Sequence, residues 1–131
     1  MRKILFRGKR IDNGEWVYGL LWKKKFNTKK VFIHFFPNED DEDDYAVVIP
    51  ETIGQYTGIK DNNDKKIFEG DIVRINNSED CLIISFDTEH DGCFICSNKK
   101  KYPYYYHRLQ YKNAEYEVVG NIHDNPELLN D

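Results

Sequence analysis

Between Ile49 and Ile75 the chain reads IPETIGQYTGIKDNNDKKIFEGDIVRI, and every apolar run in it is cut within a few residues by Gly, Pro or a cluster of Asn and Asp. No helix can bury a face from such a pattern, so the segment must cross its domain as short strands joined by tight turns. Pro50 removes a backbone donor and marks a strand end. Gly54 and Gly58 bracket Gln55-Tyr56-Thr57 as points where the backbone turns or is closely approached. Asp61-Asn62-Asn63-Asp64 consists of residues that tolerate left-handed conformations, which predicts a hairpin from Tyr56 to Phe68. Glu69-Gly70-Asp71 then turns into a strand at Ile72-Val73-Arg74-Ile75, the way many small SH3-like barrels open their first strand.

The rest of the chain reads the same way. Ile4 to Lys9, Glu15 to Trp22, Val31 to Phe36, Tyr45 to Ile49, Cys81 to Phe86, Cys93 to Cys96 and Tyr116 to Ile122 are rich in β-branched and aromatic residues. Asp12-Asn13-Gly14 lies between the first two runs, and its Asn-Gly pair predicts a two-residue hairpin turn. Near the end, Asp124 or Asn125 followed by Pro126 and Glu127 is a helix start, with a capping oxygen, Pro at the first helical position and an acid in the first turn. At 131 residues the chain suits one domain or two joined halves. No apolar run reaches the length of a membrane span, and the N-terminal residues return a charge at Arg7 too early for a signal-peptide core, so a cytoplasmic location is expected and no membrane partner.

The formal charge is -4, but six acids lie in one run, Glu39 to Asp44, and the remaining chain has more Lys and Arg than acids. The run is expected to be a solvated loop between two strands. A calcium loop would need ligands at alternate positions, a central Gly and a distal Glu, which it lacks. Cys81, Cys93 and Cys96 are odd in number and read as free thiols of a reducing compartment. With His90 they have the count for zinc, yet Phe94 and Ile95 favour a strand, which aims residues three apart at opposite faces. No metal or other cofactor is expected.

Nucleophilic chemistry finds no support: neither Ser85, Asp87, His90 and Asp91 nor His123 with Asp124 sits in an evident nucleophile elbow. Glu69 and Asp71 are carboxylates flanking one Gly. Acids beside tight turns usually accept backbone amides, and acid–base work by this pair is the weaker reading. The strongest binding signal is basic and aromatic: Lys99, Lys100 and Lys101 run into Tyr102, Tyr104, Tyr105 and Arg108, and Lys23, Lys24 and Lys25 form a second basic patch. Lysines neutralise phosphates and tyrosines stack on bases, so these ten residues are the candidate surface for nucleic acid or for a protein partner.

Five separated blocks carry a resemblance: Phe6-Arg7-Gly8-Lys9, Gly14 to Gly19, Thr52 to Gly58, Phe68 to Val73, and Gly120 to Leu129. In this order they resemble the YopX family of phage and prophage proteins. Asn63-Asp64 departs from the family, which tends to have Gly in that turn. The resemblance implies an all-β protein, residues 1–53 forming N-terminal hairpins joined to an SH3-like β-barrel over 54–131 with a short C-terminal helical turn. It also implies action in the host cytoplasm, and it carries over no catalytic residue. The expectation for function is a non-enzymatic accessory protein that binds itself, as a homo-oligomer, and a host or phage protein. A nucleic-acid-binding β-barrel using the Lys/Tyr patches is the alternative, and a hydrolase using Glu69 and Asp71 the second.

Overall fold

The computed structural model describes residues 3–23, 31–34, 45–88, 92–98, 106–109 and 114–129, which divide into two compact units, 1–56 and 57–131. In the first unit the strands are β1 Phe6–Lys9, β2 Trp16–Lys23, β3 Val31–His34, β4 Tyr45–Val48 and the start of β5 Gly54–Lys60. They are antiparallel neighbours in the order β4-β3-β2-β1-β5. Residues directly opposite one another in such pairs project to the same face. One face therefore carries Val17, Leu21, Ile33, Ala46 and Val48, and its last three members form the buried core of this unit.

The first hairpin differs from the two-residue Asn-Gly turn that Asn13-Gly14 suggests. Arg10 N donates to Glu15 O at 2.9 Å and Gly14 N to Arg10 O at 3.0 Å, so Ile11 to Gly14 form a four-residue connection. Only Gly14 there has positive φ, at 72°, whereas a two-residue turn of that type needs it at both central positions. The physical reason lies across the sheet. Ile11 N donates to Val47 O, Ile49 N donates to Lys9 O, and Arg10 bridges Val48, which draws Ile11 out of the hairpin ladder. Thr52, in the 3-10 turn Pro50–Thr52, fastens the same corner by accepting Lys9 N at 2.9 Å and donating to Ile49 O at 2.6 Å.

In the second unit β5 pairs with β6 Lys66–Phe68, and a sheet follows in the order β10-β9-β8-β7-β11. Its strands are β7 Asp71–Ile75, β8 Leu82–Asp87, β9 Cys93–Ser97, β10 Tyr106–Arg108 and β11 Tyr116–Asn121. The core is Ile67, Val73, Leu82, Ile84, Cys96 and Tyr116. Both sheets are antiparallel, so the all-β expectation holds; among the described residues no pairing joins β10 to β11, so the second sheet is not closed and does not by itself establish the expected SH3-like barrel. The outer edge of β11 is occupied by the β5–β6 turn instead: Asn62 N donates to Tyr116 O and Val118 N donates to an Asp61 carboxylate oxygen. A short 3-10 turn, Pro126–Leu129, ends the described chain where Pro126 predicts it. No helix among the described residues is long and apolar enough to cross a membrane.

Candidate functional site

The carboxylates, thiol and imidazole with defined partners in the second unit serve the fold. Asp61 Oδ1 accepts the amides of Asn63 and Lys65 at 2.9 and 2.8 Å, and Oδ2 accepts that of Val118 at 3.0 Å. Burial pushes this carboxyl up, but the three amides and the Lys65 charge outweigh it and hold it below the usual carboxylate range. Asp71 is 2% exposed and its Oδ2 accepts Phe68 N at 2.8 Å. The backbone-capping reading of Glu69-Gly70-Asp71 is thus the one this geometry supports.

Cys96 and His107 face each other across β9 and β10, with Sγ 3.3 Å from Nε2. Nδ1 lies 2.8 Å from Arg108 O, which places its proton on Nδ1 and leaves Nε2 to accept from the thiol. Burial pushes the Cys96 thiol up to about 12, against the opposing hydrogen bond with Tyr116. A neutral, fully buried thiol is a core group, not a nucleophile. Cys93 pairs with Asp87 and Cys96 with Ile84, so the odd spacing sends the two sulfurs to opposite faces of β9. Among the described residues no cluster of His, Cys, Asp and Glu can hold a metal; His90 lies outside them.

The described residues also gather exposed apolar side chains on one sheet face. Seven of the nine exposed large hydrophobics among the described residues, Ile4, Ile11, Tyr18, Leu20, Leu21, Tyr45 and Ile49, lie in the first unit. Arg7 pairs with Tyr18, Lys9 with Trp16, and Val47 with Phe32. Together with Leu20 and Tyr45 these residues cover the face opposite the Ile33 core. Tyr18 is 47% exposed, Leu20 42% and Tyr45 40%, while Trp16, Phe32 and Val47 are half-buried. Arg7, on the same face, is 6% exposed with its guanidinium 4.6 Å from the Trp16 ring centroid, and Lys9 Nζ is 5.6 Å from it. An antiparallel sheet with one solvated face normally alternates apolar and polar residues; β2, WVYGLLWK, is apolar on both.

Of the ten residues singled out in the sequence, Arg108 is exposed on β10 beside Tyr106, which is 37% exposed, and Lys23 ends β2. Lys24, Lys25, Lys99, Lys100, Lys101, Tyr102, Tyr104 and Tyr105, like the acidic run 39–44, lie outside the described residues. Sequence reasoning passed over Tyr18, Leu20 and Tyr45, although the missing polar alternation in β2 was there to find them.

A family model described as YopX protein matches residues 5–130, so the chain belongs to the YopX family. No curated protein matches it. Among solved structures, the crystal structure of protein EF1440 from Enterococcus faecalis is similar over 98% of this chain and 99% of that one, at 21% identity and a TM-score of 0.48.

Proposed function

We propose that this YopX-family chain is a non-enzymatic accessory protein of a phage or prophage that works in the host cytoplasm by protein association. Its contact surface is the aromatic and aliphatic face of the first unit. One observation carries this reading: Tyr18, Leu20 and Tyr45 are 40% or more exposed and share a face that the core does not use. Exposed apolar groups gathered on one side of a sheet are what a binding surface needs, because tyrosine buries large area while its hydroxyl stays wet. The test compares partners recovered by the tagged chain and by its Tyr18→Ser/Leu20→Ser variant from cells carrying the phage. The variant is expected to lose a specific partner; identical recovery refutes the reading.

A second reading has its own support. Lys9 beside Trp16, next to exposed Tyr18, combines a cation with an aromatic platform, the pairing used for single-stranded nucleic acid. It predicts retention on an oligonucleotide that falls steeply between low and moderate salt and that Lys9→Ala weakens. No retention at low salt removes it.

A further inference from the structure

Asn13-Gly14 does not form the two-residue turn its sequence suggests, and the arrangement it adopts brings together the parts of a reaction. Asn13 Oδ1 accepts the Glu15 amide at 2.9 Å, so the Asn13 side chain is folded back toward the backbone that follows it, alongside the Gly14 peptide. Both residues are exposed. Gly14 stands at φ 72° with nothing within 4 Å of the position a Cβ would take, so no side chain crowds the Gly14 peptide. No other asparagine of the chain precedes a glycine, and Asn125 precedes Pro126, whose nitrogen has no proton to lose.

We propose that Asn13 is a site of self-modification, at which the Gly14 amide nitrogen attacks Asn13 Cγ and converts the residue to isoaspartate. The bond from Gly14 N to Asn13 Cγ forms and the bond from Cγ to Nδ2 breaks. The Gly14 amide proton leaves through water, ammonia departs, and a five-membered cyclic imide remains. Water then opens the imide. Cleavage at the main-chain carbonyl carbon of Asn13 routes the chain through Cγ and gives isoaspartate; cleavage at Cγ gives aspartate. Water is the one co-reactant. During the attack negative charge gathers on Oδ1, to which the Glu15 N–H already donates, and a donor fixed at such an oxygen favours the transition state. Against this, Gly14 N–H must release Arg10 O, which it holds at 3.0 Å, and giving up one ordinary hydrogen bond slows the folded site about fivefold. The product changes the corner of the first unit. Isoaspartate adds one main-chain carbon to the Ile11–Gly14 connection, which the Ile11 N to Val47 O bond ties to β4, and it adds a carboxylate to a tip where Arg10 already holds Asp12 beside Glu15.

Incubation of the full chain at neutral pH and physiological temperature, in native buffer and in urea, tests it. Peptide mapping by mass spectrometry follows the gain of one mass unit as amide becomes acid. An isoaspartyl-specific O-methyltransferase with labelled S-adenosylmethionine then marks the isoaspartyl form within the Asn13 peptide. That peptide is expected to convert before any other asparagine peptide, to both acids with isoaspartate in excess, at a rate in native buffer within about tenfold of that in urea. Asn13→Ser, whose hydroxyl can still accept the Glu15 amide, is expected to keep the circular dichroism spectrum and to abolish both the mass gain and the methyl label in that peptide. Asn13 left intact in native buffer after the urea sample has converted means that the hairpin protects it, and overturns the assignment. So does conversion to aspartate alone, which is direct hydrolysis without the imide, or another asparagine reacting first.

Discussion

Asp61 is where one side chain does the most for the second unit, and its removal has a calculable effect. Its carboxylate takes two amides of its own turn and one from β11, and it is 8% exposed. In Asp61→Ala the Val118 amide loses its acceptor inside the sheet edge, which costs about 1–3 kcal/mol. The Asn63 and Lys65 amides can turn to water, and losing their acceptor is comparable to losing a helix cap, ~1 kcal/mol. The sum is about 3 kcal/mol, or roughly 10 °C in melting temperature for a chain of this size. Asp61→Asn keeps one acceptor oxygen and turns an amide donor toward the others, so it should fall between.

The pH dependence has a definite sign. The folded carboxyl lies below its ordinary value of 3.8, so the ionised form is the one that folding favours. Its contribution is complete above 3.8 and fades as pH falls below that toward the depressed native value. The wild-type advantage over Asp61→Asn should therefore be constant from pH 7 to about pH 5 and shrink by about pH 2.5. Urea unfolding followed by circular dichroism measures it. A loss under about 1 kcal/mol for Asp61→Ala at pH 7, or an advantage undiminished at low pH, refutes the assignment.

Three further outcomes follow from local geometry. A Cβ on Gly120 would lie 2.6 Å from Asn125 Oδ1, which is itself held by Asn121 N, so Gly120→Ala should cost about 1–3 kcal/mol and Gly120→Ala/Asn125→Ala less than the sum of the singles by thermal melts. Asp64 sits at φ 64°, so Asp64→Gly should be more stable than Asp64→Ala by about 1 kcal/mol in the same assay, with the exposed Lys60 ion pair contributing little. A thiol reagent near pH 8 should label half-buried Cys81 and Cys93 in the folded protein and Cys96 only after denaturation; prompt labelling of all three would contradict the buried thiol.

Turns were legible where their chemistry is local. Asp61 to Asp64, Gly70-Asp71 and Pro126 each act on backbone within a few residues, and each does what its side chain predicts. Asn76-Asn77 was equally local and was missed: both have positive φ, at 50° and 63°, and Ser78 N closes the turn on Ile75 O. The failures lie where distant residues decide. The Asn13-Gly14 turn widens because Val47, far away in sequence, claims the Ile11 amide. The outer edge of β11 is taken by Asp61 and Asn62 from the β5–β6 turn, a contact between residues more than fifty positions apart. β10 is only three residues long, too short for its residue pattern to mark it as a strand.

The exposed face shows the same limit from the other side. Alternation tells which face of a strand is wet only when one face is polar, and β2 places Trp16, Tyr18 and Leu20 on one side and Val17 and Leu21 on the other. A sequence read alone assigns both sides to a core. The structure buries Ile33, Ala46 and Val48 on one, while on the other Tyr18 and Leu20 are 47% and 42% exposed. An exposed Leu20 can be replaced without loss to the fold, so the Leu20→Thr change should leave melting temperature within about 2 °C while lowering recovery of a protein partner. A large loss of stability instead would mean that Leu20 belongs to the core after all, and that the face has no use beyond the fold.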